Sequence, residues 1–396
     1  MILKTAMGYL GALLCLLSWV ALGSPLVAQD RADSIGIRQT SDEVRPEVSI
    51  ALHRMARIGA VEGEPDRILA SGGPVAVDKA HNEVFFLDGL DGRVKVFSSE
   101  GGFLRAWGRK GEGPGEFSGS MGIAYARDTV LVSDGTRVHA FDRHGNHIVT
   151  VTPRARVRVT LTDQLCAHAD GWRLTLREIE PGVTGATPFR RTYAFSPRDG
   201  IPEEWVYQEP HPGPGPTAIL AHSPTSACHG PGFVDAPSGS YELRILGADG
   251  ELRKVLRFNH KPVPVPSSMK RDYERIARER CRRHPIPSFC FSALDVSLSQ
   301  RMDLPLPPTR PVVAGLIGSS GGLILVRRAD LDPTPFEPGD ENHWDLVEHT
   351  GRWLGRVDFP VRFEPKWLGE DEVWGIERGD FDVPYLVRLA FRGIAR

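Results

Sequence analysis

The sequence predicts an all-β chain: a six-bladed β-propeller closed by an N-terminal strand, with one helical insert between blades 4 and 5. Three observations predict it. A unit of four short apolar runs recurs along the chain, turn residues part the runs, and the last unit is one strand short while a strand lies unpaired at the other end. Gly 42 and Pro 32 in 396 residues exceed the ordinary combined share of about 12%. That excess belongs to a chain of many turns, not to a helical bundle.

The unit is clearest when Gly73–Gly108 is set against Met121–Thr152. The first reads PVAVD, EVFFLD, RVKVF and GFLRAWG; the second reads GIAYA, TVLVSD, RVHAF and NHIVTV. DGLDG, SEGG, DGT and DRHG mark the turns. Four short strands joined by tight turns make one antiparallel meander, the blade of a propeller. LTDQLCAHAD, GWRLTLRE, RRTYAFS and EEWVYQ give a third unit; TSACHG, PGFVDA, YELRIL and ELRKVLRF give a fourth. VVAGLIG, GLILVRR, HWDLVEH and RWLGRVDF give a fifth, and PKWLG, EVWGIE and VPYLVRLAF supply three strands of a sixth. The segment VSIALHRMARIG, Val48 to Gly59, is placed to pair with VPYLVRLAF and close the ring, which removes an open edge.

Residues 1–28 read as a signal peptide. Lys4 precedes an uncharged run from Thr5 to Val27, whose apolar centre is shorter than the roughly 20 residues of a spanning helix. A retained anchor is the alternative. Residues 29–47 read as a polar linker, and 48–393 as the propeller. The insert, residues 259–308, holds SSMKRDYERIARERCRRH, with Met269, Tyr273, Ile276, Ala277 and Cys281 on one helical stripe. Ser267 or Ser268 caps this helix and Pro285 stops it. Arg271, Arg275, Arg278 and Arg282 form a second stripe, either a solvated surface or a dock for an acidic partner.

The motifs GRKGEGPGEF (Gly108–Phe117), GIAYA, TVLVSD and RVHAFDRHG resemble the NHL-repeat class of propellers. The whole arrangement, through EVWGIERGDFDVPYLVRLAF, is similar to exported bacterial "6-bladed beta-propeller" proteins of unknown function. The likeness covers Val48 to Gly393 and implies six four-stranded blades around a central channel. It carries no catalytic residues to transfer.

Four cysteines remain after the signal: Cys166, Cys228, Cys281 and Cys290. In an exported chain an even count points to disulfides, with three connectivities open. Cys166 and Cys228 fall in the channel-lining strands of neighbouring blades, so a bridge between them is the simplest reading. With His168 and His229 they make an alternative tetrahedral metal set. Cys281 and Cys290 are placed to staple the insert. Asp78, His168 and His229 are the ionisable candidates at the channel mouth. GEGPG lacks the Lys-Ser/Thr pair of a phosphate loop and reads as an inter-blade turn. Asp88 with Arg93, and Asp134 with Arg137, recur in successive blades and read as turn architecture.

A formal net charge of −2 gives no reason to expect a nucleic-acid partner. The resulting expectation is an exported protein, periplasmic or secreted, with no membrane span after cleavage. It would be monomeric and act as a non-catalytic binding or scaffolding module for an unknown protein or small ligand. No cofactor is expected. The alternative is a metal-dependent hydrolase or lyase of the gluconolactonase or amidating-lyase type, with its ion in the channel.

Overall fold

The computed structural model describes residues 36–39, 49–135, 137–152, 158–168, 171–179, 189–201, 205–208, 225–230, 232–237, 239–282, 287–329 and 342–394. The expected signal peptide lies outside them. Among the described residues two strands, β1 (Gly36–Gln39) and β2 (Ala51–Ile58), precede the first full blade. Blade 1 is β3 (Val75–Asp78), β4 (Glu83–Asp88), β5 (Arg93–Ser98) and β6 (Phe103–Trp107). Blade 2 is β7 (Ser120–Ala126), β8 (Thr129–Asp134), β9 (Arg137–Asp142) and β10 (His147–Val151). Blade 3 is β11 (Arg158–His168), β12 (Gly171–Ile179), β13 (Phe189–Phe195) and β14 (Tyr207–Gln208). Blade 4 is β15 (Thr225–His229), β16 (Gly232–Ala236), β17 (Glu242–Leu246) and β18 (Leu252–Arg257). Blade 5 is β19 (Val313–Gly318), β20 (Leu323–Arg328), β21 (Asn342–Glu348) and β22 (Trp353–Phe359). Blade 6 holds β23 (Phe363–Leu368), β24 (Glu372–Arg378) and β25 (Pro384–Arg392), completed by β2. The fold is a six-bladed β-propeller.

The second strand of each blade is covered on both faces by its neighbours, so it reads as a near-continuous apolar run. All six residues of EVFFLD in β4 are buried, down to Glu83 and Asp88. The core is therefore not one body but a series of layers between blades. Ile58, Val75, Phe86, Trp374 and Leu386 share the layer that joins blade 6 to blade 1. The closing strand pairs antiparallel with β25, Ala51 opposite Arg392 and Ile58 opposite Leu386. Ile58 and Ala56 face inward, whereas Met55 points out.

Two features go beyond the sequence expectation. The insert contains two helices, α1 (Met269–Arg282) and α2 (Pro287–Arg301), where one was expected. Proline is tolerated in the first turn of a helix because its missing N–H has no partner there, so Pro287 starts α2 rather than preventing it. The expected linker also contains β1, which pairs parallel to the outer edge of blade 4, Gly36 opposite Lys254 and Gln39 opposite Arg257. Ser49 then bridges Arg356 on the outer strand of blade 5 before β2 joins blade 6.

Candidate functional site

The strands of each blade alternate in direction, and the six inner strands surround the channel. Inter-blade connections and second-to-third-strand turns therefore emerge on one face, here called the upper face. First-to-second-strand turns emerge on the lower face. This division sorts the candidate residues.

The channel encloses a cavity of about 380 Å³ lined by all six inner strands, from Pro74–Val77 of blade 1 to Lys366–Leu368 of blade 6. Its wall is largely Val, Ile, Leu and Ala with exposed strand backbone. Tyr125, His229 and Lys366 are the ionisable side chains among the described lining residues outside the cysteines, and no carboxylate joins them. Cys166 and Cys228 both line it and are joined to each other, with their Cα atoms 5.7 Å apart. Cys281 and Cys290 are joined across the insert, at 5.3 Å between Cα atoms. With both channel sulfurs in one bridge, the four-residue metal set Cys166, His168, Cys228 and His229 loses its two thiolate donors. Among the described residues no group of three or more His, Cys, Asp and Glu is placed to hold an ion.

The three channel-mouth candidates each end an inner strand at the lower rim of the channel. Asp78 ends β3 on the lower face, where its carboxylate accepts from the Ala80 and His81 amides at 3.0 and 3.3 Å and meets His81 Nδ1 at 2.7 Å. Burial would raise its pKa, but bonds from Tyr125 and His81 outweigh that and hold the carboxyl below its ordinary value. Burial and the Asp78 carboxylate together push the Tyr125 phenol well up. Asp78 is thus the closing residue of its own hairpin. His229 ends β15 and is buried, with its ring 6.2 Å from that of His349. The backbone of His168 ends β11 opposite Gly171; its side chain lies outside the described atoms.

The repeated aspartates are upper-face architecture. Asp134 accepts from Ser118 N at 2.9 Å, Ser118 Oγ at 2.8 Å and Gly119 N at 2.7 Å, and pairs with Arg137. Asp88 accepts from Ala70 N at 2.8 Å and Ser71 Oγ at 3.0 Å. Its cation is the buried Lys95 at 3.0 Å, while Arg93 reaches Asp66 instead. Each aspartate fastens the connection entering its blade to that blade's second strand. In GEGPG the Glu116 carboxylate takes the Gly113 amide at 3.0 Å and the Arg109 guanidinium, so an internal acid stands where a phosphate would.

The helical insert projects from the upper face. The insert leaves after β18 and returns before β19, and its stem is a short ladder: Arg310 N donates to Val263 O at 2.8 Å and Val265 N to Pro308 O at 3.1 Å. Of the arginine stripe, Arg278 is used within the insert, pairing with Glu274 at 2.9 Å and Asp295 of α2 at 3.3 Å. Arg282 pairs with Glu279 at 2.7 Å. Arg271 and Arg275 are exposed and make no such pair. On α2, Phe289 and Val296 are exposed seven residues apart, on one side of the helix. Across the same face stand the loop tips of blades 6 and 1, bearing Val61, Leu90, Val361 and Phe381 in solvent.

Phe381 is 99% exposed, yet its loop is braced. Arg362 donates to Gly379 O and Asp382 Oδ1, both at 2.8 Å, and Arg378 donates to Asp382 Oδ2 at 3.1 Å. Phe381 and Asp382 both take left-handed backbone angles, with φ of 55° and 64°. Sequence reasoning passed over this residue, because nothing in GDFDVP says which side of the turn the ring takes.

No family model matches the chain, and no curated protein matches its sequence. Solved structures share its fold. A Bacteroides fragilis protein described as exported is 10% identical with a TM-score of 0.51, over 90% of this chain and 99% of its own. A DUF4221 family member from Bacteroides vulgatus is 12% identical with a TM-score of 0.52, over 88% and 99%. A gluconolactonase of Xanthomonas campestris is 14% identical with a TM-score of 0.43, over 88% and 99%. The likeness to the two Bacteroides proteins is one of fold alone. No helix among the described residues is long and apolar enough to cross a membrane.

Proposed function

We propose that this chain is an exported, NHL-repeat-like propeller that works as a non-catalytic binding or scaffolding module through its upper face. One observation carries the reading. Among the described residues, the helical insert and four exposed apolar loop tips, Val61, Leu90, Val361 and Phe381, stand together on that face. The lower-face turn of blade 1, by contrast, is tied off by its own Asp78. The neighbouring exported propeller and the short apolar segment ahead of residue 28 support export.

The channel-sited hydrolase or lyase has less support, because the described cavity wall offers no carboxylate and its two cysteines are bonded to each other. Fold alone does not assign chemistry. The test is site-specific photocrosslinking in the exporting cell, with the probe at Leu90 or Phe289 on the upper face and at His81 or His144 on the lower. Adducts are expected from the upper positions. Adducts confined to the lower positions, or a stoichiometric metal ion in protein purified without chelator, would overturn the reading.

A further inference from the structure

The upper face carries two patches of opposite chemistry. The tips of blades 6 and 1 present Phe381, Val361, Val61 and Leu90. Their unpaired charges are mainly acidic: Glu62, Glu64 and Asp380 make no ion pair, against Arg67 and Lys110, the latter beside Gly92 of the Leu90 turn. The insert presents Phe289 and Val296 with the unpaired Arg271 and Arg275. We propose that the upper face is a self-association surface, on which a second copy of this chain docks face to face and seats its insert on the tips of blades 6 and 1. The proposal rests on the upper-face binding reading and names its occupant.

The two patches do not meet within one chain, since Phe381 is 99% exposed and the insert rises between blades 4 and 5. Two copies related by a twofold axis place each acidic apolar patch against the other copy's basic apolar insert. The contact then forms twice and closes on itself, as an isologous dimer requires. Phe381 supplies the anchor. A bulky residue in the left-handed region is disfavoured, and this one is held there by Arg362 and Arg378 while its ring stays bare. A rigid exposed aromatic at an interface loses little freedom on docking, which is the property of a hot-spot residue. The carboxylates around it oppose an anionic lipid surface and suit arginine.

Sedimentation of the mature full chain tests this. A dimer is expected at about 0.05 M salt, weakened at least tenfold at about 0.5 M, where screening falls to a few ångströms. Arg271→Glu with Arg275→Glu, and separately Glu62→Lys with Glu64→Lys, should each give folded monomers with unchanged melting. Mixed in equal amounts, the two variants should dimerise again, because both contacts become complementary once more. Phe381→Asn, which accepts the left-handed backbone, should loosen the dimer tenfold or more while leaving the fold intact. A wild-type chain that stays monomeric at low salt, or a mixture that fails to re-form dimers, overturns self-association. If upper-face crosslinks to another molecule persist in that case, the binding reading stands and only its occupant changes. If they vanish too, both fall.

Discussion

Ile58 is where the first-made strand of the ring enters the layer between the last blade and the first. It is 4% exposed and packs with Val75, Phe86, Trp374 and Leu386. Ile58→Ala removes three buried carbons, about 2.4 kcal/mol at roughly 0.8 kcal/mol each. The cavity left between two blades raises the loss to as much as about 5 kcal/mol, since neither sheet can collapse into it. Met55→Ala on the same strand removes an outward side chain and should change stability by no more than about 0.5 kcal/mol. Urea unfolding followed by tryptophan fluorescence reads both, because Trp374 lies in the same layer as Ile58. Equal losses for the two variants would show that β2 does not pack at this junction. The closure argument would then be wrong.

Three further outcomes are expected. Replacing Cys166 and Cys228 together by Ala opens a loop with a sequence separation of 62, for which the chain-entropy model gives about 4 kcal/mol; peptide mapping without reductant should recover the Cys166–Cys228 and Cys281–Cys290 peptides, and scrambled pairs would refute the assignment. Asp134→Asn should cost about 1.5–3 kcal/mol at neutral pH, the range for hydrogen bonds to a charged group. Burial opposes ionisation of Asp134, but bonds from Ser118, Gly119 and Arg137 hold its pKa below 3.8, so the wild-type advantage is full above that value and is lost as pH falls through the folded-state pKa. A deficit in the variant that stayed constant into acid would contradict this. Gly73→Ala should be strongly destabilising, because its Cβ would lie 1.8 Å from Leu87 O, whereas Gly119→Ala meets nothing within 4 Å; comparable melting of the two variants would refute the close approach.

The ring itself was legible because strand alternation and turn residues repeat, and because a sixth unit one strand short demands a partner from the other end. The second helix was not, since PSFCFSALDVSLSQR scatters its apolar residues around the axis and leaves no stripe to count. β1 escaped for a different reason. Its four residues pair because blade 4 offers an open edge, and that edge belongs to residues more than two hundred positions away. Asp78 was rightly placed at a strand end, but periodicity gives a side chain's face and not its partners; its own turn amides claimed the carboxylate. The arginine stripe was correct as geometry, while the loss of Arg278 to Asp295 depended on the unforeseen helix.

The pairing of β2 with β25 also sets a timetable. Ala51 and Arg392 stand opposite one another although roughly 340 residues of chain separate them. At a synthesis rate of about 5–20 residues per second, the ribosome finishes the second partner on the order of 20–70 s after the first. Blades 1 to 5 can each form their own hairpins in that interval, but no nascent chain, however long delayed, can shut the circle before its final strand emerges. Such a molecule stays an open arc until its last strand is free to pair. The waiting strand is suited to the delay, because ALHRMARI carries Arg54 and Arg57 among its apolar residues, and mutual charge repulsion keeps two such strands from finding each other first.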